Sequence, residues 1–295
     1  ASPYTAVPLI LEARGHGNRT SEEGIPPAMV PDYHLHTALC KHAEGMPVEY
    51  RDAARSLGVP EICFTDHCPA PGGYDPAHRM SIRRFPEYRQ SVLELQDGSL
   101  PKVLFGIEAD YYEGCETFLG EWLPAQGFDL VIGSVHFIRA WGFDNPADRH
   151  VWDSVDVPST WKEYFSLIGR LADTRLFDAV GHLDLPKKFN YRPEESALKE
   201  TARPALDRVA RAGMGIEINA SGLRKPAGEV YPSILLLSLA RERGIPICFG
   251  SDAHRPDEVG SGLDAAQEAA RSAGYTHYFR IRAREKVLTP LPSAG

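Results

Sequence analysis

Asp32-Tyr33-His34-Leu35-His36-Thr37 is the stretch on which the fold turns. On a strand, residues two apart point the same way, so the imidazoles of His34 and His36 can reach one ion. Working outward, apolar runs suited to buried strands recur at 61–65, 103–108, 130–135, 179–183, 215–218 and 245–249. Helical stretches fall between them. Residues 48–57 and 85–95 read as helices, and Thr160 with Glu163 reads as a capping box that opens another. Residues 194–212 are amphipathic, with Pro204 expected to kink or break the helix. Residues 232–243 start at a proline and stop at Gly244, and 263–273 stop at Gly274. Such alternation predicts a parallel α/β sheet, and six or more units predict a closed barrel.

The chain has 295 residues, 43% hydrophobic and 24% charged, which suits a single α/β barrel with a large core. The barrel is expected over 31–295. Residues 1–30, rich in Pro, Gly and polar residues, read as an N-terminal extension, and Met29 is a candidate natural start. The apolar patch 7–11 lacks a basic segment before it and makes a poor signal peptide. No apolar run is long enough for a bilayer. The five cysteines, Cys40, Cys63, Cys68, Cys115 and Cys248, form no C-x-x-C pair, which fits free thiols in the cytoplasm.

The histidines carry the chemistry. Of eleven, seven fall at strand ends or just beyond: His34, His36, His42, His67, His136, His182 and His254. Glu108 ends the strand that runs through Phe105-Gly106-Ile107, and Asp252 lies in Gly250-Ser251-Asp252-Ala253-His254. In a parallel barrel all strand C-termini meet on one face, where active sites are built. Imidazoles and carboxylates converging there predict a site for several divalent metals, with Zn, Fe or Mn as candidates. His16, His78, His150 and His277 read as ordinary structural or surface residues.

These motifs resemble those of the polymerase and histidinol phosphatase (PHP) superfamily: Asp-Tyr-His-Leu-His-Thr with His42, Thr65-Asp66-His67, the Glu108 strand, Gly133-Ser134-Val135-His136, Gly181-His182-Leu183-Asp184 and Ser251-Asp252-Ala253-His254. Cys40-Lys41-His42-Ala43-Glu44-Gly45, the 106–111 segment and the 216–225 run, with Tyr231-Pro232-Ser233, resemble its histidinol-phosphate phosphatase branch. The resemblance implies a distorted (β/α)7 barrel holding three metals. It implies His34, His36, Glu108 and Asp252 on the first ion, and Glu108, His136 and His182 on the second. His42, His67 and His254 would hold the third. The implied reaction is metal-assisted attack by water on a small phosphate monoester, with L-histidinol phosphate the expected substrate. Asp252, His254 and Arg224 are the candidates for catalytic work. Asp252 is a candidate proton donor to the leaving group, and Arg224 a bidentate phosphate clamp. Lys225 is a second substrate-binding candidate, and Lys187 and Arg139 are weaker ones. Asp66 and Asp184 are expected to orient ligand imidazoles.

Other chemistries fit less well. No D-x-D-x-T strand and no Cys-x5-Arg loop is present, which sets aside phosphoaspartyl and cysteine phosphatases. A net charge of -8 disfavours nucleic acid and anionic membranes. A nucleotide or phosphotyrosine phosphoesterase, an amidohydrolase, a non-catalytic metal-stabilised barrel and a metal-storage protein are the alternatives. The first stays in the same superfamily. The second also opens on H-x-H, but needs only one or two metals. The third would have lost ligands, and the fourth would carry exposed His or Cys tracts.

Overall fold

The computed structural model describes residues 29–293. The expected extension over 1–30 lies outside the described residues apart from Met29 and Val30. Seven parallel strands form one sheet in chain order. They are β1 (Asp32–Leu35), β2 (Glu61–Phe64), β3 (Lys102–Asp110), β4 (Leu130–Ser134), β5 (Ala179–Val180), β6 (Gly215–Asn219) and β7 (Ile247–Gly250). All are almost wholly buried, as strands with helices on one face and a filled interior on the other must be. The sheet closes on itself just past β7, where the His36 N–H donates to the Ala253 carbonyl at 3.0 Å and the Ala253 N–H to that of His34 at 3.2 Å. The result is a nearly closed, distorted (β/α)7 barrel.

Helices α1 (Pro47–Ser56), α2 (Phe85–Leu93), α3 (Glu116–Trp122), α4 (Val157–Thr174), α5 (Glu195–Arg211), α6 (Ile234–Glu242) and α7 (Leu263–Ser272) surround the strands. One expectation fails here, and of a second the break does not occur. The helix expected to open at Thr160 begins at Val157, because Asp156 caps it by accepting from the Ser159 N–H at 2.9 Å. Pro158 already has the φ of a first turn, so the earlier start wins. Glu163 reaches Arg139 rather than any cap. Pro204 does not break α5. Its ring removes one backbone bond, at about 3 kcal/mol, yet Leu198, Ala202, Ala205, Leu206 and Val209 are all buried in the core and hold the helix.

Strand β5 is shorter than the expected 179–183, because the chain turns out of the sheet at His182, whose φ is 25°. The sequence reading stopped at Gly274 and missed the antiparallel hairpin β8 (His277–Arg282) and β9 (Glu285–Pro290). Phe279 and Ile281 of β8 enter the barrel from the N-terminal ends of the strands. There they meet Tyr33, Cys63, Leu104, Leu130, Ile132, Ala179 and Cys248. Gly215 makes this possible, since a Cβ there would overlap the Phe279 ring. The opposite mouth of the barrel is left for the histidines.

Candidate metal centre

Glu108, near the end of β3, is the hub of that mouth and is 1% exposed. His67 Nδ1 stands 2.9 Å from its Oε2, and His182 Nε2 stands 3.0 Å from its Oε1. His34 Nε2 and His36 Nε2 lie 3.4 and 3.7 Å from Oε2. His136 Nε2 lies 3.6 Å from Oε1. Asp252 faces the hub from the loop after β7, 3.2 Å from His36 Nε2 and 3.8 Å from His34 Nε2. Its φ of 55° is one that side chains rarely adopt, so the closing loop holds Asp252 in a strained backbone. Farther out, His254 Nε2 and His42 Nε2 approach to 3.0 Å. Every ligand candidate named from the sequence is therefore brought to one place.

The polar atoms in this place are poorly partnered. His34 Nε2, both ring nitrogens of His36, His67 Nδ1, His182 Nδ1 and Glu108 Oε2 are buried without a hydrogen bond. Each such atom ordinarily costs about 1–3 kcal/mol, so a cluster of them fits divalent cations as the missing partners. Donor atoms within 4.8 Å of one another occur in the groups His34–His36–Glu108, His36–His67–His254 and His67–Asp110–His136. These groups share members, so the geometry does not divide the ligands cleanly into the three sets that the resemblance implies.

Electrostatics inside the cluster are divided. Burial raises the Glu108 carboxyl, yet His67, His34 and His136 together hold it well below the usual range. Asp252 is likewise raised by burial and lowered further by His34, His36 and His254. Burial lowers His34, but Glu217, Asp252 and Glu108 outweigh it and raise the imidazole well above its ordinary value. His42, with no carboxylate against it, is pushed down to about 4 by burial and then by His67 and His36. Imidazoles of one cluster are thus pushed in opposite directions, and an ion bound to a raised one displaces its proton.

A cavity of 410 Å³ opens over the hub. Arg224 lines it: one terminal nitrogen, Nη2, donates to the carbonyls of Ser251 and Asp252 at 2.9 and 3.2 Å, while Nη1 is buried without a partner. Lys225 lines the cavity as well. Lys187 does not. It is 1% exposed, donating to Asp184 at 2.9 Å and to the Val230 carbonyl at 2.8 Å. Its neighbour Lys188 takes the place at the cavity, 3.0 Å from Asp144. Arg139 points outward, paired with Glu163 and 82% exposed, because the turn that carries it faces solvent. Asp184 serves Lys187 and the Ser233 N–H rather than an imidazole. Asp66 stays beside the site. It accepts from the backbone of Thr37 at 3.2 Å and of His67 at 2.7 Å, and its Oδ1 is 3.6 Å from His36 Nδ1.

Some site residues escaped the sequence reading. Asp110 accepts from His136 Nδ1 at 3.0 Å and is itself held by Arg79 at 3.0 Å and Tyr74 at 2.9 Å. It lies two residues beyond Glu108 on β3, so period-two alternation could have found it. Glu217 accepts from His34 Nδ1 at 2.6 Å. His78, read as an ordinary surface residue, lines the cavity and pairs with Asp75 at 2.7 Å.

Comparison with known proteins gives a consistent picture. The PHP domain family matches residues 32–221, and a PHP-associated segment matches 236–269. A probable histidinol-phosphatase of Deinococcus radiodurans is 44% identical over 255 residues, covering 85% of this chain and 96% of that protein. The histidinol-phosphatase of Bacillus subtilis is 28% identical over 80% of this chain and 98% of its own. A crystal structure of a putative histidinol phosphatase from Listeria monocytogenes superposes with a TM-score of 0.72 at 25% identity, covering 80% of this chain and 99% of that one. The Lactococcus lactis histidinol phosphate phosphatase, solved with zinc, L-histidinol and phosphate, shares the fold. It gives a TM-score of 0.76 at 22% identity, over 87% of this chain and 98% of its own.

Proposed function

The chain belongs to the PHP family, and from that premise we propose that it is a metal-dependent phosphomonoesterase that hydrolyses L-histidinol phosphate to L-histidinol and phosphate. The observation that carries this reading is the set of unpartnered ring nitrogens around Glu108, buried beneath a cavity that Arg224 also lines. The 44% identity with the D. radiodurans protein, nearly end to end, supports the substrate. We read 31–295 as one catalytic domain with 1–30 an extension of it. Free buried cysteines fit a cytoplasmic enzyme.

His34, His36, His42, His67, Glu108, His136, His182, Asp252 and His254 would hold three divalent ions, with Zn, Fe or Mn suited to this mixed donor set. Bound there, the ions would supply Lewis acidity and a water activated near neutral pH. The protein does the rest. Arg224 is held at the cavity wall by the Ser251 and Asp252 carbonyls, so its guanidinium is positioned before substrate arrives, and a fixed guanidinium binds a phosphate oxygen with little loss of rotamer freedom. Lys188 and Lys225 add positive charge along the wall. Asp252 is ionised at neutral pH, so it begins as a proton acceptor. It can take the proton of the attacking water and return it to the departing alkoxide. Ser221 Oγ, 3.0 Å from Asp252 Oδ2, keeps that carboxylate oriented.

The test is phosphate release from L-histidinol phosphate beside p-nitrophenyl phosphate, a phosphotyrosine peptide and a mononucleotide, with metals counted on the same sample. A kcat/KM far higher for L-histidinol phosphate is expected. Similar weak rates on all would discard the substrate, and no release from fully metallated protein would discard the phosphatase. Arg224→Ala should raise KM about 10- to 100-fold, the worth of one charged hydrogen bond, with metal content intact.

A further inference from the structure

Glu217 lies in the middle of β6 with no exposure to solvent. Its Oε1 accepts from His34 Nδ1 at 2.6 Å. Its Oε2 accepts from the His182 backbone N–H at 3.0 Å and from Asn219 Nδ2 at 3.1 Å. The same Asn219 amide reaches Asp252 Oδ2 at 3.3 Å. One buried carboxylate thereby ties together β1, the turn after β5 and the loop after β7. The space it occupies exists because residue 250 is glycine: a Cβ there would overlap Glu217 Oε1 and stand 2.5 Å from His34 Cβ.

We propose that Glu217 is a positioning residue of the metal centre, fixing the tautomer of His34 and the backbone of His182. With Nδ1–H committed to Glu217, the lone pair of His34 is left on Nε2, which faces Glu108 and Asp252. Metal-bound histidines commonly give their second nitrogen to such a carboxylate, which fixes the ring and raises its basicity. A carboxylate is also the one side chain that can accept all three N–H groups here without presenting a donor of its own. In Glu217→Gln an NH2 must face either His34 Nδ1 or the His182 N–H. In the first case His34 moves its proton to Nε2 and loses its lone pair toward the ion. In the second, two donors collide beside His182.

The inference rests on the metal-centre reading, so the test separates the two. Metal-stripped full-length protein is titrated with Zn against a chromophoric chelator. Zinc-loaded protein is then studied by 15N NMR of its histidine rings. Wild type should retain zinc and show His34 protonated at Nδ1. Glu217→Gln should bind zinc about 10- to 100-fold more weakly at the site containing His34, and Glu217→Asp, which keeps the carboxylate but withdraws it by one methylene, should fall between Glu217→Gln and wild type. Wild type that binds no zinc would sink the metal reading itself. Zinc bound equally well by wild type and Glu217→Gln would sink the role of Glu217 alone. Should neither variant fold, the wild-type spectrum still decides, because a bare Nδ1 on zinc-loaded His34 contradicts the proposal.

Discussion

The two mouths of the barrel are built to opposite rules. At the N-terminal mouth, polar groups are few and paired. Glu61, fully buried, is met by the Tyr33 hydroxyl and by Arg280 Nη2 at 2.8 Å, and Asp178 is met by Arg284 Nε at 3.0 Å and the Val131 N–H at 2.8 Å. Phe279 and Ile281 fill what remains. At the C-terminal mouth, buried nitrogens and a carboxylate oxygen lack partners, and two of the candidate ligands, His182 and Asp252, have positive φ. The first mouth satisfies its buried polar groups and fills the rest with apolar side chains. The second carries unsatisfied groups and backbone strain, which a fold tolerates where it binds something.

Chelation should break this contrast most strongly. Removal of divalent ions is expected to abolish phosphate release, with recovery on adding them back. Ions that bind only the folded chain stabilise it by about 4 kcal/mol at a thousand times their Kd, so a matching fall in melting temperature should accompany the loss. Loss of activity with no thermal effect would mean that the ions are not structural partners of the buried nitrogens.

Two substitutions test the mouths separately. Phe279→Ala should cost about 3–5 kcal/mol in denaturant unfolding, as large core truncations do, while kcat/KM and metal content stay unchanged. Asp110→Asn takes from Arg79 one of its two carboxylate partners at 3.0 Å, leaving Asp75, and should cost about 1–3 kcal/mol together with activity. This second loss should depend on pH. Burial raises the Asp110 carboxyl, but Arg79 and then His136 overcome that and hold it below its ordinary value. A depressed acid stabilises above the unfolded pKa, about 3.9, and that contribution is lost as pH falls through the folded value. Stability of the wild type should therefore decline below about pH 4 more steeply than that of Asp110→Asn. Equal slopes would show that the pair is not felt in folding.

The smallest effect is expected from Arg139→Ala. Its exposed pair with Glu163 should be worth less than about 1 kcal/mol, with kcat/KM unchanged. A large rise in KM would return Arg139 to the cavity.

Much of the active mouth was legible in the chain because its signals are local. H-x-H on β1, Asp-His after β2 and Asp-Ala-His after β7 place their side chains by strand alternation and strand endings alone. The same local logic misplaced residues whose partners lie far away in sequence. Lys187 and Lys188 are neighbours, and only the turn into Val230 and Asp184 decides that the first is buried and the second faces the cavity. The plug at the other mouth was illegible, because β8 owes its place to a glycine at 215 and to the width of the interior.

The sequence by itself determined the alternation of strands and helices, the side of the barrel that carries imidazoles and carboxylates, and the chemistry those groups can hold. Tertiary structure decided what surrounds them. It paired Glu217 with His34 across 183 residues, set Asp110 between Arg79 and His136, and left Arg224 Nη1 free by tying Nη2 to two carbonyls. The physical reason is that ligand identity follows from residue type and local geometry. Orientation and tautomer follow from hydrogen bonds that exist only once the barrel has closed.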